Sequence, residues 1–328
     1  MLNDWQRMKI SIIGGIPSPI GGVTNFIFRA AEQDKRVRQV FDFYPEGEKL
    51  HLTNANHICC QLRLATYFLL FVSAVRFSKR IFHLNTSSLT GLLFFFPLVL
   101  ILGKRLRFTA HHGNLSYSDR NLLLRLLIRN ALKRIGVIYA LSSKQLIFYK
   151  DLVGSENVEL VSSYIRPSVV RAASKCDRFC ICLSGYPSRV YNFDRAIELF
   201  KNNTEYEIHL FLYGTGDNED YLSSLVNKYP NICIYWNTDS DTFLGRLSSS
   251  NLYLRLNSVD SFGIACAEAI SLGVPVIATD VCERYDGCYL VNCDANNSLL
   301  YDAISLMKKG RNPHLPISKA GISEFHYD

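Results

Sequence analysis

The chain has 328 residues, 48% hydrophobic and 20% charged, which suffices for two domains that each bury a core and excludes an extended disordered chain. Its net charge of +7 is unevenly divided: up to Ser168 there are 22 Lys plus Arg against 10 Asp plus Glu, a balance of +12, and the remainder has 14 against 19, a balance of −5. Basic charge on the first half suits an acidic membrane surface as well as a solvated face; without aromatic-basic interleaving it does not point to nucleic acid. Ten cysteines, among them Cys59, Cys60, Cys176, Cys180 and Cys182, lack the paired spacing of a zinc knuckle. They are expected to be small buried hydrophobes in a reducing compartment, with no disulfide and no structural metal. The first residues carry no apolar run ending in small ones, so no secretory signal is predicted and a cytoplasmic location is expected.

In chain order, "KISIIGGI" reads as a strand that runs into a loop carrying Gly14, Gly15, Gly21 and Gly22. A helix is predicted from about Thr24, because Val23, Phe26, Ile27, Ala30 and Ala31 recur with the spacing of one buried stripe. Then follow strand "VRQVFDFY", helix "QLRLATYFLLFVSAV", strand "RIFHLNT", a helix from Leu89, strand "RLRFTAHH", helix "DRNLLLRLLIRNALKRI" and strand "GVIYALS". The apolar runs from Leu64 to Phe77 and from Leu89 to Gly103 are shorter than the roughly 20 residues that cross a bilayer, and Pro97 interrupts the second. Both are predicted as buried helices packed on a sheet. "YIRPS", with Pro167, reads as a hinge. Beyond it come strand "RFCICLSGY", helix "NFDRAIELFKNN", strand "EIHLFLYGTG", helix "EDYLSSLVNKY", strand "NICIYWN", a short helix, strand "LYLRLNS", helix "IACAEAISLG" and strand "VPVIATD". This alternation implies an α/β chain of two Rossmann-like parallel-sheet domains, residues 1–166 and 167–328, with a cleft between them.

Two stretches can carry chemistry. The first glycine-rich loop lets backbone approach an anion near a helix N-terminus. "IPSPI" makes it too long for a dinucleotide fingerprint, and no Lys-Ser/Thr follows Gly22 as a P-loop requires. A nicotinamide oxidoreductase, with Asp42 as its ribose acid, therefore has the wrong loop. The second stretch is "VDSFGIACAEAISLGVPVIATD". A helix starting near Phe262 and Gly263 would aim its first free N–H groups out of the carboxyl edge of the sheet, a place for phosphate. Glu268 would lie one to two turns in, placed for a ribose diol, with Asp260 on the loop before the helix. The residues alone equally allow a turn role for Asp260 and a local partner for Glu268.

That second stretch resembles the E-x7-E signature of retaining glycosyltransferases of the GT-B fold, the family-4-like group 1, with Asp260 in place of the first glutamate. "IPSPIGGVTNF", "RFTAHHG", "SGYPSRVYNFDRAIELF" and "LFLYGTGD" resemble further pieces of that family, so the resemblance covers nearly the whole chain. It implies a metal-independent hexosyltransferase without a cofactor that moves a sugar, with retention, from a nucleotide diphosphate to a glycan or polyprenyl-diphosphate-linked acceptor. It further implies work at the inner face of the plasma membrane in bacterial surface-polysaccharide assembly, such as O-antigen, capsule or lipopolysaccharide. Glu268 would hold the donor ribose and Asp260 the donor-sugar hydroxyls. Amides around Phe262, Gly263 and Ile264, with Gly21 and Gly22, would receive the diphosphate, and His112, or His111, would stand near the donor sugar. The family's Arg and Lys after the first strand of the second domain are replaced here by Tyr186 and Tyr191 with Arg189 between them. Arg189 is then the leading catalytic cation, with Arg255 and Arg284 as further candidates. A catalytically silent sugar-nucleotide-binding or scaffold protein is the alternative that Tyr191 keeps open. The sequence runs to "AGISEFHYD", where relatives often continue through a helix that returns to the first domain, so a closing element that is short or absent is expected.

Overall fold

The computed structural model describes residues 8–18, 21–112, 122–154, 157–168, 170–174, 176–225, 227–322 and 324–327. It divides into two compact units, Met1–Ile165 with Glu324–Asp328, and Arg166–Ser323. The expected boundary falls one residue away, but the last five residues join unit 1, not unit 2.

Unit 1 contains β1 (Ile10–Gly14), α1 (Gly22–Gln33), β2 (Val37–Asp42), β3 (Asn56–Ile58), α2 (Arg63–Arg76), β4 (Ile81–Thr86), α3 (Gly91–Phe94) and α4 (Phe96–Leu102). These are followed by β5 (Leu106–Ala110), α5 (Leu122–Arg134), β6 (Val137–Ala140), α6 (Ser143–Val153) and β7 (Val158–Leu160). The strands form one parallel sheet in the order β3-β2-β1-β4-β5-β6-β7. β1, β4 and β5 are buried along their whole length, as expected for central strands covered on both faces. The helix predicted from Leu89 is broken in two: Pro97 sits in the first turn of α4, where its missing N–H costs nothing. Ser142 caps α6 by accepting from the Gln145 amide, and Gly154 ends it in the left-handed region at φ 61°. α6, β3 and β7 were not anticipated from the sequence. The first residues of the predicted "DRNLLLRLLIRNALKRI" helix lie outside the described residues.

The expectation of buried apolar helices holds only in part. α2 buries Thr66, Leu70, Ser73 and Ala74, whereas Leu64, Phe68, Leu69, Phe71, Val72 and Val75 are exposed. The run is apolar all round, but one side of a helix suffices to contact a sheet, so composition could not indicate which side stays uncovered. Among the described residues no helix is long and apolar enough to cross a membrane.

The returning chain end is an extended strap, not a helix. The Phe325 amide donates to the Tyr164 carbonyl at 2.7 Å, and the Tyr327 hydroxyl pairs with His83 Nδ1 at 2.7 Å. Phe325 packs edge-on against Phe26 and Tyr327, with ring centres 5.0 and 4.8 Å apart.

Unit 2 contains β8 (Phe179–Gly185), α7 (Phe193–Phe200), β9 (Tyr206–Leu212), α8 (Glu219–Ser223), β10 (Ile232–Trp236) and α9 (Ser240–Ser248). β11 (Leu252–Arg255), α10 (Ile264–Ser271), β12 (Val276–Thr279), β13 (Tyr289–Val291) and α11 (Asn297–Lys308) complete it. Its parallel sheet has the order β10-β9-β8-β11-β12-β13. In this doubly wound order the connections diverge at the β8/β11 pair, and the carboxyl ends of these two strands flank the crevice where such sheets receive ligands. β13 and α11 lie beyond "VPVIATD", the last strand predicted from the sequence.

Candidate active site

β8 ends at Gly185 and β11 ends at Arg255, so the loops that leave the switch point begin at these two residues. The loops are tied together: the Ser258 amide donates to the Val190 carbonyl at 2.8 Å, and Asn192 Nδ2 donates to the Leu256 carbonyl at 2.8 Å. The loop after β9 joins them, with the Arg189 amide donating to Asp217 Oδ1 at 3.0 Å. Tyr191 lies over the end of β8 so closely that a Cβ on Gly185 would stand 2.0 Å from its ring. Its ring also stacks on Phe193 at 5.4 Å.

Around this frame three charged side chains converge. Arg255 grips Asp260 with two donors, Nε to Oδ2 at 2.7 Å and Nη2 to Oδ1 at 3.1 Å, and reaches the Ser184 carbonyl with Nη1 at 3.4 Å. Its guanidinium carbon stands 5.4 Å from the Tyr191 ring centre. Arg284 Nη1 donates to Asp260 Oδ2 at 2.7 Å and to the Phe262 carbonyl at 3.2 Å, while its Nε donates to the Thr279 carbonyl at 2.9 Å. Gly263 precedes α10 at φ 79°, and a Cβ there would meet Arg284 Nη1 at 2.6 Å. The positive φ favours glycine here, and any side chain would have to displace the Arg284 guanidinium.

The three side chains are 10%, 9% and 0% exposed for Arg255, Asp260 and Arg284. Burial by itself would push the Asp260 carboxyl up, but Arg255 and then Arg284 outweigh it and hold the group well below the usual carboxylate range. Burial would likewise lower both guanidinium values, and Asp260 reverses this for each. Within this cluster two cations face one anion, an excess of one positive charge at the carboxyl edge of the sheet beside the first turn of α10.

The structure thus brings Arg255, Asp260, Gly263 and Arg284 together. Asp260, expected to face donor-sugar hydroxyls, accepts from Arg255, Arg284 and the Ser261 amide. Arg284, expected as a phosphate ligand, is wholly buried and ties the loop after β12 to that before α10. Phe262 is buried, with its carbonyl engaged by Arg284, and Ile264 opens the helix. Glu268, expected to face a ligand, is only 4% exposed, although its charge is felt at the Tyr213 hydroxyl at the end of β9, where burial is the larger influence. Arg189 sits exposed on the short 3-10 turn Arg189–Tyr191.

In unit 1, Gly21 precedes α1 and Gly22 opens it. His111 Nε2 pairs with Asn85 Oδ1 at 3.0 Å, and its ring lies 5.3 Å from that of Phe26. Burial, and next His112, lower its pKa to about 3, so the ring is neutral. The His112 carbonyl accepts from Gln145 Nε2. Gly113 lies outside the described residues. Asp42 is fully buried and receives the Tyr44 amide at 2.8 Å, His57 Nε2 at 3.1 Å and Lys49 Nζ at 3.2 Å. A ribose acid must be open to its ligand, so this carboxylate does not serve the oxidoreductase reading.

Two doubly wound parallel-sheet units, the second with Arg255, Asp260 and Arg284 gathered at its switch point, have the GT-B class of fold. Residues 171–287, about a third of the chain, match the family model for glycosyl transferases group 1. A search of curated protein sequences finds no match. Sucrose-phosphate synthase from Thermosynechococcus elongatus is similar over 92% of this chain and 90% of its own, with TM-score 0.71 and 14% identity. HepE of Anabaena, solved in complex with UDP-glucose, is similar over 92% and 90%, with TM-score 0.67 and 12% identity. WaaG, a glycosyltransferase involved in lipopolysaccharide biosynthesis, is similar over 92% and 90%, with TM-score 0.60 and 14% identity.

Proposed function

We propose that the protein transfers a sugar, with retention, from a nucleoside diphosphate donor to a lipid-linked glycan. The observation that carries this reading is the surplus positive charge held by Arg255, Arg284 and Asp260 beside the start of α10. Two buried cations that share one carboxylate remain short of negative charge, and a diphosphate supplies it. Arg255, the more exposed of the two guanidiniums, touches the diphosphate, with Arg189 as a second cation; Arg284 and Asp260 position it. As the glycosidic bond breaks, charge collects on the leaving diphosphate, and a guanidinium and the amides of Gly263 and Ile264 stabilise it, each such donor worth a few kcal/mol in a water-poor site. The leaving phosphate oxygen takes the acceptor's proton on the face it vacates, and neither a metal nor a covalent glycosyl intermediate enters the scheme. Glu268 holds the ribose. The UDP-glucose bound by HepE makes a uridine nucleotide the first donor to test.

The acceptor side of the proposal rests on unit 1. α2, α4 and α5 pack side by side, and their outer surfaces expose Leu64, Phe68, Val75, Leu100, Leu122 and Leu126. Arg125, Arg129 and Lys133 are exposed on the last of these helices. Apolar side chains flanked by cations suit the interface of an anionic bilayer. A peripheral location on the inner membrane face and a part in surface-polysaccharide assembly follow as parts of the proposal.

Tyr191, where the family carries a lysine, favours one alternative, a catalytically silent binder of sugar nucleotides. Thermal stabilisation by UDP- and GDP-sugars, followed by acceptor-dependent release of nucleoside diphosphate from those that bind, separates the two. Binding with release supports the enzyme; binding without release for any acceptor lipid supports the silent protein; no binding of any donor overturns both.

A further inference from the structure

At the opposite end of the unit 2 sheet from the switch point, a second group of reactive side chains gathers on one face. Cys180 is the second residue of β8, Glu207 and His209 are the second and fourth of β9, and Cys233 is the second of β10. Cys180 pairs in register with Glu207, and His209 with Cys233, so all four side chains project to the same side. Cys176 reaches the group from the segment before β8. The ligand atoms of Cys176, Cys180 and His209 lie within 4.8 Å of one another, as do those of Glu207, His209 and Cys233.

We propose that Cys176, Cys180, Glu207 and His209 form a structural zinc site that pins the segment before β8 to the amino-terminal edge of the unit 2 sheet. Zinc takes four ligands from sulfur, imidazole nitrogen and carboxylate at about 2.0–2.3 Å, which spaces neighbouring ligand atoms about 3.3–3.8 Å apart in a tetrahedron. Cys176 Sγ and His209 Nε2 are 3.6 Å apart, and His209 Nε2 and Glu207 Oε1 are 2.8 Å apart. The second of these distances opens by about half an ångström when both atoms turn to a common ion. The other ring nitrogen of His209 is already held: Nδ1 and the Tyr235 hydroxyl are 3.0 Å apart, and the two rings stack at 5.6 Å. With Nδ1 as the donor, Nε2 carries the lone pair that a metal needs, the arrangement that outer partners impose on ligating histidines.

The charges also balance. Two thiolates and one carboxylate count −3, a dication leaves −1, and Arg246 cancels it, since its Nη1 lies 3.7 Å from Cys176 Sγ. Binding releases one proton from each thiol that enters protonated, and no electron moves. This differs from the expectation of no structural metal drawn from cysteine spacing: the ligands come from a leading segment and two strands, so no short motif reveals them. The site lies at the far strand ends from Arg255 and does not depend on the transfer reaction.

The test uses the full chain, purified under reducing conditions and analysed for metal by mass spectrometry. About one zinc per chain is expected, falling at least tenfold in Cys176→Ser with Cys180→Ser and in His209→Gln. Because these variants could fail to fold, wild-type protein stripped with a chelator is also titrated with Co2+ alone. Thiolate-to-cobalt charge-transfer bands with the visible spectrum of a tetrahedral centre are expected, and Zn2+ should bleach them. A cobalt spectrum without thiolate bands overturns the site, as do a Cys176–Cys180 disulfide in the purified chain and stoichiometric zinc in the double cysteine variant.

Discussion

Asp260→Asn separates the arginine-clamp role from the sugar-contact role expected for this residue. The substitution keeps the size of the side chain and removes its charge, leaving Arg284, with a fully buried side chain, and Arg255, at 10%, facing each other without an anion between them. Removing one partner of a buried ion pair costs about 3–5 kcal/mol. For a unit of this size each kcal/mol lowers the melting temperature by about 2–4 °C, so a fall of roughly 6–20 °C is expected. Differential scanning calorimetry of the free protein measures it, and near-ultraviolet circular dichroism checks that the variant is folded below the transition. Asp260→Asn combined with Arg284→Met should cost less than Asp260→Asn alone, because the second change removes a stranded charge. Saturating UDP should raise the melting temperature of the single variant more than that of the wild type, since its phosphates neutralise two free guanidiniums. Unchanged stability of the free variant, with UDP binding retained and UDP-sugar binding lost, would refute the clamp and return Asp260 to the donor sugar.

Four further outcomes follow from the same structure. Glu268→Gln should keep the fold and weaken nucleotide binding about tenfold by exchanging charge-assisted hydrogen bonds for neutral ones; equal affinity by calorimetric titration would remove Glu268 from the ribose. Arg255→Ala should lower turnover more than donor affinity, because the diphosphate gains charge as the bond breaks; a larger turnover loss in Arg189→Ala would exchange the two roles. Reversing Arg125, Arg129 and Lys133 to Glu should reduce co-sedimentation with anionic vesicles about 100-fold, at about 1 kcal/mol per cation, and equal binding to neutral vesicles by the unaltered protein would leave the leucines of α5 as the anchor. His83 is held neutral by burial, with smaller contributions from His111 and Arg107, and its pKa lies well below the ordinary value; His111 is lowered to about 3. The unfolded chain therefore takes up protons below about pH 6.5 that the folded unit refuses, so stability is full above that pH and falls by about 1.4 kcal/mol per pH unit for each ring below it. Urea midpoints at about pH 7, 6 and 5 read the slope, and a flat profile would mean that the rings are charged in the fold.

The alternation of β-branched runs with amphipathic stretches, and the order of the short motifs around Gly21, His111 and Glu268, were enough to determine two parallel-sheet units and their class. Those features are local, and each states its own period or turn chemistry wherever it is folded. The sequence also identified Arg255, Asp260, Gly263 and Arg284 as neighbours of one site, because all lie at or just beyond the carboxyl ends of adjacent strands. Tertiary structure decided how they share their charges. A carboxylate five residues after Arg255 and 24 before Arg284 can face either a ligand or its own cations, and only the closure of those loops onto each other shows that it faces the cations. The same holds for α2, whose apolar run does not say which side meets the sheet. It holds too for Cys180, Glu207 and His209, which parallel strand register, a non-local pairing, sets on one face, with Cys176 arriving from the segment before β8. Periodicity and spacing act along the chain; charge compensation, exposure and ligand geometry depend on what arrives from elsewhere, and these were set by packing.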